Sequence, residues 1–159
     1  MLHFVPVMAN DSATFLIAED DPGDTLLLNL AFVRAGLDKI SVRFIPDGKQ
    51  TTDYIAGINK YADRAVFPVP ALLLMDLTMP GFGGFDLLHW LSSNRKLIRF
   101  PVVVFSGSEN PEHHRKATSF DFVTGYILKS LAFAHIPALL MQFLTVWRNH
   151  SSGELAPQA

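Results

Sequence analysis

Short apolar runs alternate along this chain with segments in which apolar residues recur at helical spacing. Continuous apolar runs over Ala13–Ala18, Ala71–Met75 and Phe100–Phe105 predict strands buried on both faces, as in a parallel sheet. The runs Ile40–Ile45 and Gly125–Leu128 predict two further strands. Each run stops at a polar residue or a turn signal, so we expect five separate strands.

Helical patterns lie between and after these strands. In chain order, the apolar residues that predict helices are Leu26, Leu27, Leu30, Ala31 and Val33; Ile55 and Ile58; Phe85, Leu88 and Leu91; and Ile136, Leu139, Leu140, Phe143, Leu144 and Trp147. We expect the first helix to end at Gly36, the second to cover Thr51–Tyr61, and a short polar helix over Glu112–Phe120. This alternation predicts an α/β fold, a doubly wound parallel sheet with helices on both faces.

Composition indicates one globular domain. The 159 residues are 49% hydrophobic and 18% charged, and we divide them into an N-terminal extension (1–12), one domain (13–149) and a flexible tail (150–159). Acidic and basic residues nearly balance, with a net charge of −2, so the sequence gives no indication of the basic stripe that binds nucleic acid. The first ten residues lack the basic start of a signal peptide, and no apolar run is long enough for a membrane span. The chain has no cysteine, so it cannot contain disulfides or thiolate metal sites.

Chemically active side chains follow four of the predicted strands. Glu19 and Asp20 follow the first strand, Asp76 the third, Ser106 the fourth and Lys129 the fifth. Because parallel strands of a doubly wound sheet end at one edge, we expect these residues to share one site. The sequence therefore predicts a cluster of carboxylates with one hydroxyl and one ammonium group.

Clustered carboxylates predict a hard divalent cation with oxygen ligands. Mg²⁺ usually takes one or two carboxylates and keeps several waters. Asp20, Asp76 and the backbone carbonyl of Thr78 suit this demand, and Glu19 is expected to act through a water molecule. With the cation bound, the carboxylate of Asp76 could attack a phosphoryl group and form an aspartyl-phosphate, with Lys129 and Ser106 contacting phosphoryl oxygens.

Taken singly, residues of these types usually have structural roles. An aspartate after a strand is more often a turn former or helix cap, and we assign Asp21 and Asp24 to the start of the first helix. The adjacent His113 and His114 have no third ligand nearby in the predicted fold, so we interpret them as solvated helix residues rather than a metal site. The joint occurrence at four strand ends is what favours a functional site.

Several segments of the chain resemble the receiver domain of bacterial two-component response regulators. LIAEDDPGD resembles its first strand and acidic pair, LLLMDLTMPGFGGFDLL its third strand and phosphoacceptor loop, VVVFSG its hydroxyl strand, and GYILKS its last strand. The resemblance runs from about Thr14 to Trp147. It implies a flavodoxin-like sheet with strand order 2-1-3-4-5, phosphorylation of Asp76 with Mg²⁺, and a switch formed by Ser106 and Tyr126.

The resemblance also implies partners. A sensor histidine kinase or a phosphotransfer protein would donate the phosphoryl group, and an unknown downstream target would be bound in trans. A homodimer through the face of the fourth helix, fifth strand and fifth helix is a further expectation, with Leu131, Phe133 and Ile136 as its apolar material. Such a protein is cytoplasmic, and it is not a conventional enzyme, since it catalyses only its own phosphorylation and slow dephosphorylation.

The chain departs from the family pattern in two places. The family usually has a proline after the lysine, joined by a cis peptide, whereas Ser130 stands here. A cis bond before a residue other than proline costs about 3–4 kcal/mol, so we expect a trans bond and a less rigidly held Lys129. The region Glu109–Thr124 is polar, which leaves the choice of partner open.

Three other functions are compatible with an α/β fold of this kind, and the residues favour them to different degrees. A pseudo-receiver would keep the fold as a protein-interaction module without phosphorylation, and Ser130 is compatible with it. A haloacid-dehalogenase-like phosphatase normally needs a second aspartate two residues after the nucleophile, where this chain has Thr78. A flavodoxin-like cofactor site is disfavoured because Glu19, Asp20 and Asp21 would repel a flavin phosphate.

Overall fold

The structure, a computed structural model, describes residues 13–34 and 41–135, with isolated helical positions at 138, 142 and 145. The strands of this part of the chain are β1 Thr14–Ala18, β2 Ser41–Ile45, β3 Leu72–Met75, β4 Val102–Ser106 and β5 Val123–Leu128. Its helices are α1 Pro22–Arg34, α2 Gly48–Ala56, α3 Gly84–Ser93, α4 Pro111–Thr118 and α5 Lys129–Ala134.

The five strands form one parallel sheet in the order β2-β1-β3-β4-β5. The predicted fold class is therefore confirmed. Strand order reverses at β1, which has β2 on one side and β3 on the other, and ligands of such sheets bind at the carboxyl ends beside this point. The residues after β1 and β3 are thus neighbours although 57 residues separate Glu19 from Asp76.

Alternation of side chains along the strands produces two cores, one on each face of the sheet. On one face, Leu16, Leu73 and Val104 are fully buried with Tyr54 of α2 and Leu87 of α3. On the other face, Phe15, Ile17, Leu74 and Val103 pack with Leu28 and Phe32 of α1. These cores hold the helices against the sheet, so the loops at its carboxyl edge have fixed starting points.

The buried face of α1 differs from the predicted one. Leu28, Ala31 and Phe32 are buried, whereas Leu26, Leu27, Leu30 and Val33 are exposed. The helix is apolar on several sides, so spacing alone could not select the inner one, and contact with Phe15 and Ile17 decided it. Gly36, where we predicted the end of the helix, lies outside the described residues.

Helix α2 is shorter than predicted and starts earlier. The side chain of Asp47 caps it by accepting a hydrogen bond from the Gln50 N–H (2.7 Å). Gly57, with φ of +66°, ends it in the left-handed conformation that glycine adopts without steric cost. Ile58, a predicted core anchor, therefore lies beyond the helix and is exposed.

The remaining boundaries agree with the predictions within about two residues, as is usual for helix and strand ends. The short polar helix near residue 112 is α4, and α3 contains the predicted Phe85, Leu88 and Leu91. The predicted final helix, Ile136–Trp147, falls mostly outside the described residues. Among the helices that the structure describes, none is long and apolar enough to cross a membrane.

Candidate functional site

The carboxyl edge of the sheet brings together the side chains that the sequence places after β1, β3 and β5. Lys129, the first residue of α5, donates a hydrogen bond from Nζ to Asp76 Oδ2 at 2.8 Å. The same Nζ lies 2.6 Å from Glu19 Oε2. Glu19 and Asp76 are almost completely buried, so this ammonium balances carboxylates that water barely reaches. Contacts with two buried carboxylates therefore place the Lys129 ammonium inside the site.

Asp24 completes the set of carboxylates around the lysine, and its assigned role was incomplete. Its Oδ2 accepts a hydrogen bond from Lys129 Nζ at 2.7 Å. Asp24 lies in the first turn of α1, and Asp21 Oδ1 caps that turn by accepting from the Asp24 N–H (2.8 Å). No local pattern in the sequence distinguishes Asp24 from an ordinary aspartate at the start of a helix, so only the contact with Lys129 assigns it to the site.

Three carboxylates are close enough to share one cation. Oxygens of Glu19, Asp20 and Asp76 all lie within 4.8 Å of one another. Asp20 is exposed while the other two are buried, so the cluster is open to solvent on one side. Hard cations such as Mg²⁺ prefer oxygen ligands of this kind and retain waters on an open side. These residues therefore fit a magnesium ion.

The loop after β3 is built tightly around Asp76. The Thr78 N–H donates to Asp76 Oδ1 at 3.1 Å, which places Thr78 next to the acidic cluster and orients the carboxylate. Gly84, at the start of α3, approaches the loop so closely that a Cβ there would lie 2.4 Å from the backbone oxygen of Asp76. This contact requires a residue without a Cβ, which explains the glycine at position 84.

Ser106 and Tyr126 are connected through Ser108. The buried Ser106 Oγ accepts a hydrogen bond from the Ser108 N–H at 3.1 Å. The half-buried Tyr126 donates its hydroxyl to the Ser108 carbonyl at 3.3 Å. Hydrogen bonds to Ser108 thus connect both predicted switch residues, Ser106 at the end of β4 and Tyr126 in β5, to the loop between β4 and α4.

One of the two adjacent histidines also contacts this loop. His113 Nδ1 is 2.7 Å from Ser108 Oγ, and its ring is half-buried against Phe85. The interpretation of His113 as a solvated residue is therefore wrong. His114 is exposed, and its ring packs edge-on against Tyr126 with centroids 4.6 Å apart.

The pKa values of Glu19 and Lys129 are both raised, but for different physical reasons. Burial raises the pKa of Glu19 to about 7, although hydrogen bonds from Lys129 and the Asp21 N–H oppose the rise. Burial alone would lower the pKa of Lys129, but hydrogen bonds to Asp24, Asp76 and Glu19 raise it above its ordinary value. The lysine therefore stays charged, while the metal-free site does not easily accept every carboxylate in its ionised form.

The peptide bond after Lys129 follows the prediction. The described residues contain no cis peptide bond, so Ser130 is joined in the trans form. Lys129 and Ser130 already belong to α5, and the lysine side chain passes Gly107, whose added Cβ would lie 3.9 Å from Lys129 Cδ. The position of the Lys129 ammonium is therefore set by its three carboxylate partners and by the route of the side chain past Gly107.

Comparison with known proteins agrees with this geometry. Residues 15–141 match the model of the response regulator receiver domain. The chain is 33% identical to response regulator RPA3017 of R. palustris, in red light signaling, whose crystal structure superimposes with a TM-score of 0.77 and covers 92% of this chain and 99% of that one. The phosphorylated cyanobacterial phytochrome response regulator RcpA is 25% identical, with a TM-score of 0.74 and the same coverage.

Another related protein matches this chain over most of the length of both. The chain is 27% identical over 139 residues to the probable methanogenesis regulatory protein FilR2 of Methanothrix harundinacea, covering 87% of this chain and 86% of that protein. The family model spans most of the chain. The sheet order and the acidic cluster of this structure agree with that family. The chain therefore belongs to the response regulator receiver domain family of two-component signalling.

Proposed function

We propose that the protein is a signalling switch that accepts a phosphoryl group on Asp76 from a histidine kinase or a phosphotransfer protein. The observation that carries this proposal is the contact of Lys129 Nζ with Asp76 Oδ2 at 2.8 Å, inside the cluster formed with Glu19 and Asp20. Receiver domains in general are phosphorylated by histidine kinases and bind Mg²⁺ in an acidic pocket.

The chemistry assigned to these residues is a phosphoryl transfer. A carboxylate oxygen of Asp76 attacks phosphorus, the phosphorus–nitrogen bond to the donor histidine breaks, and the imidazole leaves. Lys129 then moves one hydrogen bond from Asp76 to a phosphoryl oxygen, and Ser106 donates its hydroxyl to another. Asp20, Asp76 and the Thr78 carbonyl, with Glu19 through a water, would hold Mg²⁺, which would supply positive charge to neutralise the phosphoryl oxygens.

The switch follows from the hydrogen bonds around Ser108. Movement of Ser106 toward the phosphoryl group breaks its bond from the Ser108 N–H and displaces the loop to which the Tyr126 hydroxyl is bonded. The Tyr126 ring then turns inward to fill the vacated volume, because protein interiors resist voids. The outcome is a changed surface at α4 and β5.

Two alternatives predict different behaviour of the same site. A pseudo-receiver would keep this geometry without accepting a phosphoryl group. A phosphatase of the haloacid-dehalogenase type would need a general acid at residue 78, where the threonine hydroxyl has no acidic proton at neutral pH.

Partners follow from the family and its relatives. RPA3017 acts in red light signaling and RcpA is a phytochrome response regulator, so a photosensory histidine kinase is the first donor to test. We propose that the output is binding in trans or homodimerisation through α4, β5 and α5. Leu131 is exposed on this face, whereas the side chains of Phe133 and Ile136 lie outside the described part of the chain.

Intact-mass analysis after incubation with acetyl phosphate and Mg²⁺ tests the proposal. We expect one phosphoryl adduct on the wild-type protein, its loss in Asp76→Asn, and its retention in the control Asp21→Asn, since asparagine also caps a helix. An equal adduct on Asp76→Asn would refute the assignment of Asp76. No adduct on the wild type, with acetyl phosphate or with a panel of histidine kinases, would instead favour the pseudo-receiver.

A further inference from the structure

Lys129 forms ion pairs with three carboxylates, and these differ in what else they do. An ammonium group has three N–H donors, and Glu19, Asp24 and Asp76 lie 2.6, 2.7 and 2.8 Å from Nζ. Glu19 and Asp76 also belong to the group of oxygens that could hold a cation. Among the described residues, Asp24 is the carboxylate partner of Lys129 that lies outside this group.

The contact between Asp24 and Lys129 joins two elements that are far apart in the chain. It connects the first turn of α1 to the first residue of α5 across 105 residues. Neither side chain is freely solvated: Lys129 is 12% exposed and Asp24 is 23% exposed. Charged hydrogen bonds in such partly enclosed positions are stronger than exposed ones, because water competes less for the charges.

A helix-terminal role explains only part of the position of Asp24. A carboxylate in the first turn of α1 interacts favourably with the helix dipole wherever its side chain points. Contact with an ammonium on another element is not needed for that role. The orientation of Asp24 toward Lys129 therefore indicates a second role, at the site itself.

We propose that Asp24 is a positioning residue that keeps the ammonium of Lys129 at the site while Asp76 is being phosphorylated. This inference rests on the proposed function of Asp76. During transfer, Asp76 becomes an acyl phosphate and loses the negative charge that pairs with Lys129, and Glu19 would help to hold a bound cation, so both contacts with Lys129 would weaken. Asp24 keeps its charge and its place in α1, and it leaves the lysine one N–H free to bind a phosphoryl oxygen.

The test measures the rate of phosphorylation by acetyl phosphate at saturating donor, together with Mg²⁺ affinity by calorimetry. We expect Asp24→Ala to lower this rate about tenfold, equivalent to about 1.4 kcal/mol, with a Mg²⁺ dissociation constant changed less than about twofold. Asp24→Asn should restore part of the rate, because its amide oxygen still accepts a hydrogen bond. Glu112→Gln, which removes a first-turn carboxylate of α4 remote from Lys129, is the matched control and should leave the rate unchanged.

A double-mutant cycle separates this role from a structural one. If Asp24 acts through Lys129, Asp24→Ala should change the residual rate of Lys129→Met by less than about twofold. The same tenfold loss in both backgrounds, or a parallel loss of Mg²⁺ affinity, would overturn the proposal, as would an unchanged rate in Asp24→Ala. Failure of the wild-type protein to be phosphorylated would instead overturn the function proposed for Asp76.

Discussion

Replacement of Glu19 by glutamine should make the metal-free protein more stable relative to wild type at alkaline pH than at acidic pH. Glu19 is 3% exposed, and burial raises its pKa to about 7 from an ordinary value of 4.5. Its pKa is thus higher in the folded than in the unfolded state. The stability contributed by this group is fully present below about pH 4.5 and is lost as the pH rises through about 7, because ionisation then favours the unfolded chain.

The magnitude follows from the pKa difference. Each pKa unit corresponds to about 1.4 kcal/mol, so ionisation of Glu19 lowers the free energy of unfolding by about 3 kcal/mol at pH 8 and by about 1 kcal/mol at pH 5. Glutamine has nearly the same shape and does not ionise. Glu19→Gln should therefore be more stable relative to wild type at pH 8 than at pH 5, by about 2 kcal/mol.

Urea denaturation in the presence of a chelator measures this difference. Wild type and Glu19→Gln are compared at pH 5 and pH 8, so that the titration of all other groups cancels to first order. Glu112→Gln is the control, since it removes an exposed carboxylate outside the site. If Glu19→Gln gives one constant difference at both pH values, the carboxyl group of Glu19 is not held in a perturbed state by burial.

Two further substitutions test the metal cluster and the loop that carries Asp76. Asp20→Asn should weaken Mg²⁺ binding at least about tenfold in calorimetry, because it removes a direct ligand. Asp121→Asn, which lies at the opposite end of β5, is the control and should leave the affinity unchanged. Equal Mg²⁺ affinity in wild type and Asp20→Asn would show that Asp20 is not a ligand. Gly84→Ala should lower the free energy of unfolding by about 3 kcal/mol, because the added Cβ would overlap the Asp76 backbone. Gly125→Ala is the control, since a Cβ at residue 125 would lie no closer than 3.6 Å to any neighbouring atom. Similar stabilities of the two alanine variants would contradict this account of the loop.

Much of the fold could be predicted from local pattern. Five apolar runs with polar ends are recognisable in any buried parallel sheet, and the residues at those ends, including Glu19, Asp76 and Lys129, meet because parallel strands finish at one edge. Helix caps such as Asp47 and Gly57 are also local signals, and Gly57 marks the end of a second helix shorter than the apolar spacing alone predicts. Strand and helix existence, and most of the candidate site, followed from these signals.

The remaining features depend on which surfaces meet. Helix α1 has apolar residues on several sides, and packing against Phe15 and Ile17 alone made Leu28 and Phe32 its buried face. Asp24 was indistinguishable in the sequence from a helix-terminal aspartate until α5 brought Lys129 to it. The sequence by itself determined which chemical groups stand at the strand ends, since that depends on chain order and local periodicity. Only the tertiary structure decided how Lys129 divides its hydrogen bonds and how far burial raises the pKa of Glu19, because both depend on distances and solvent exclusion between elements remote in the chain.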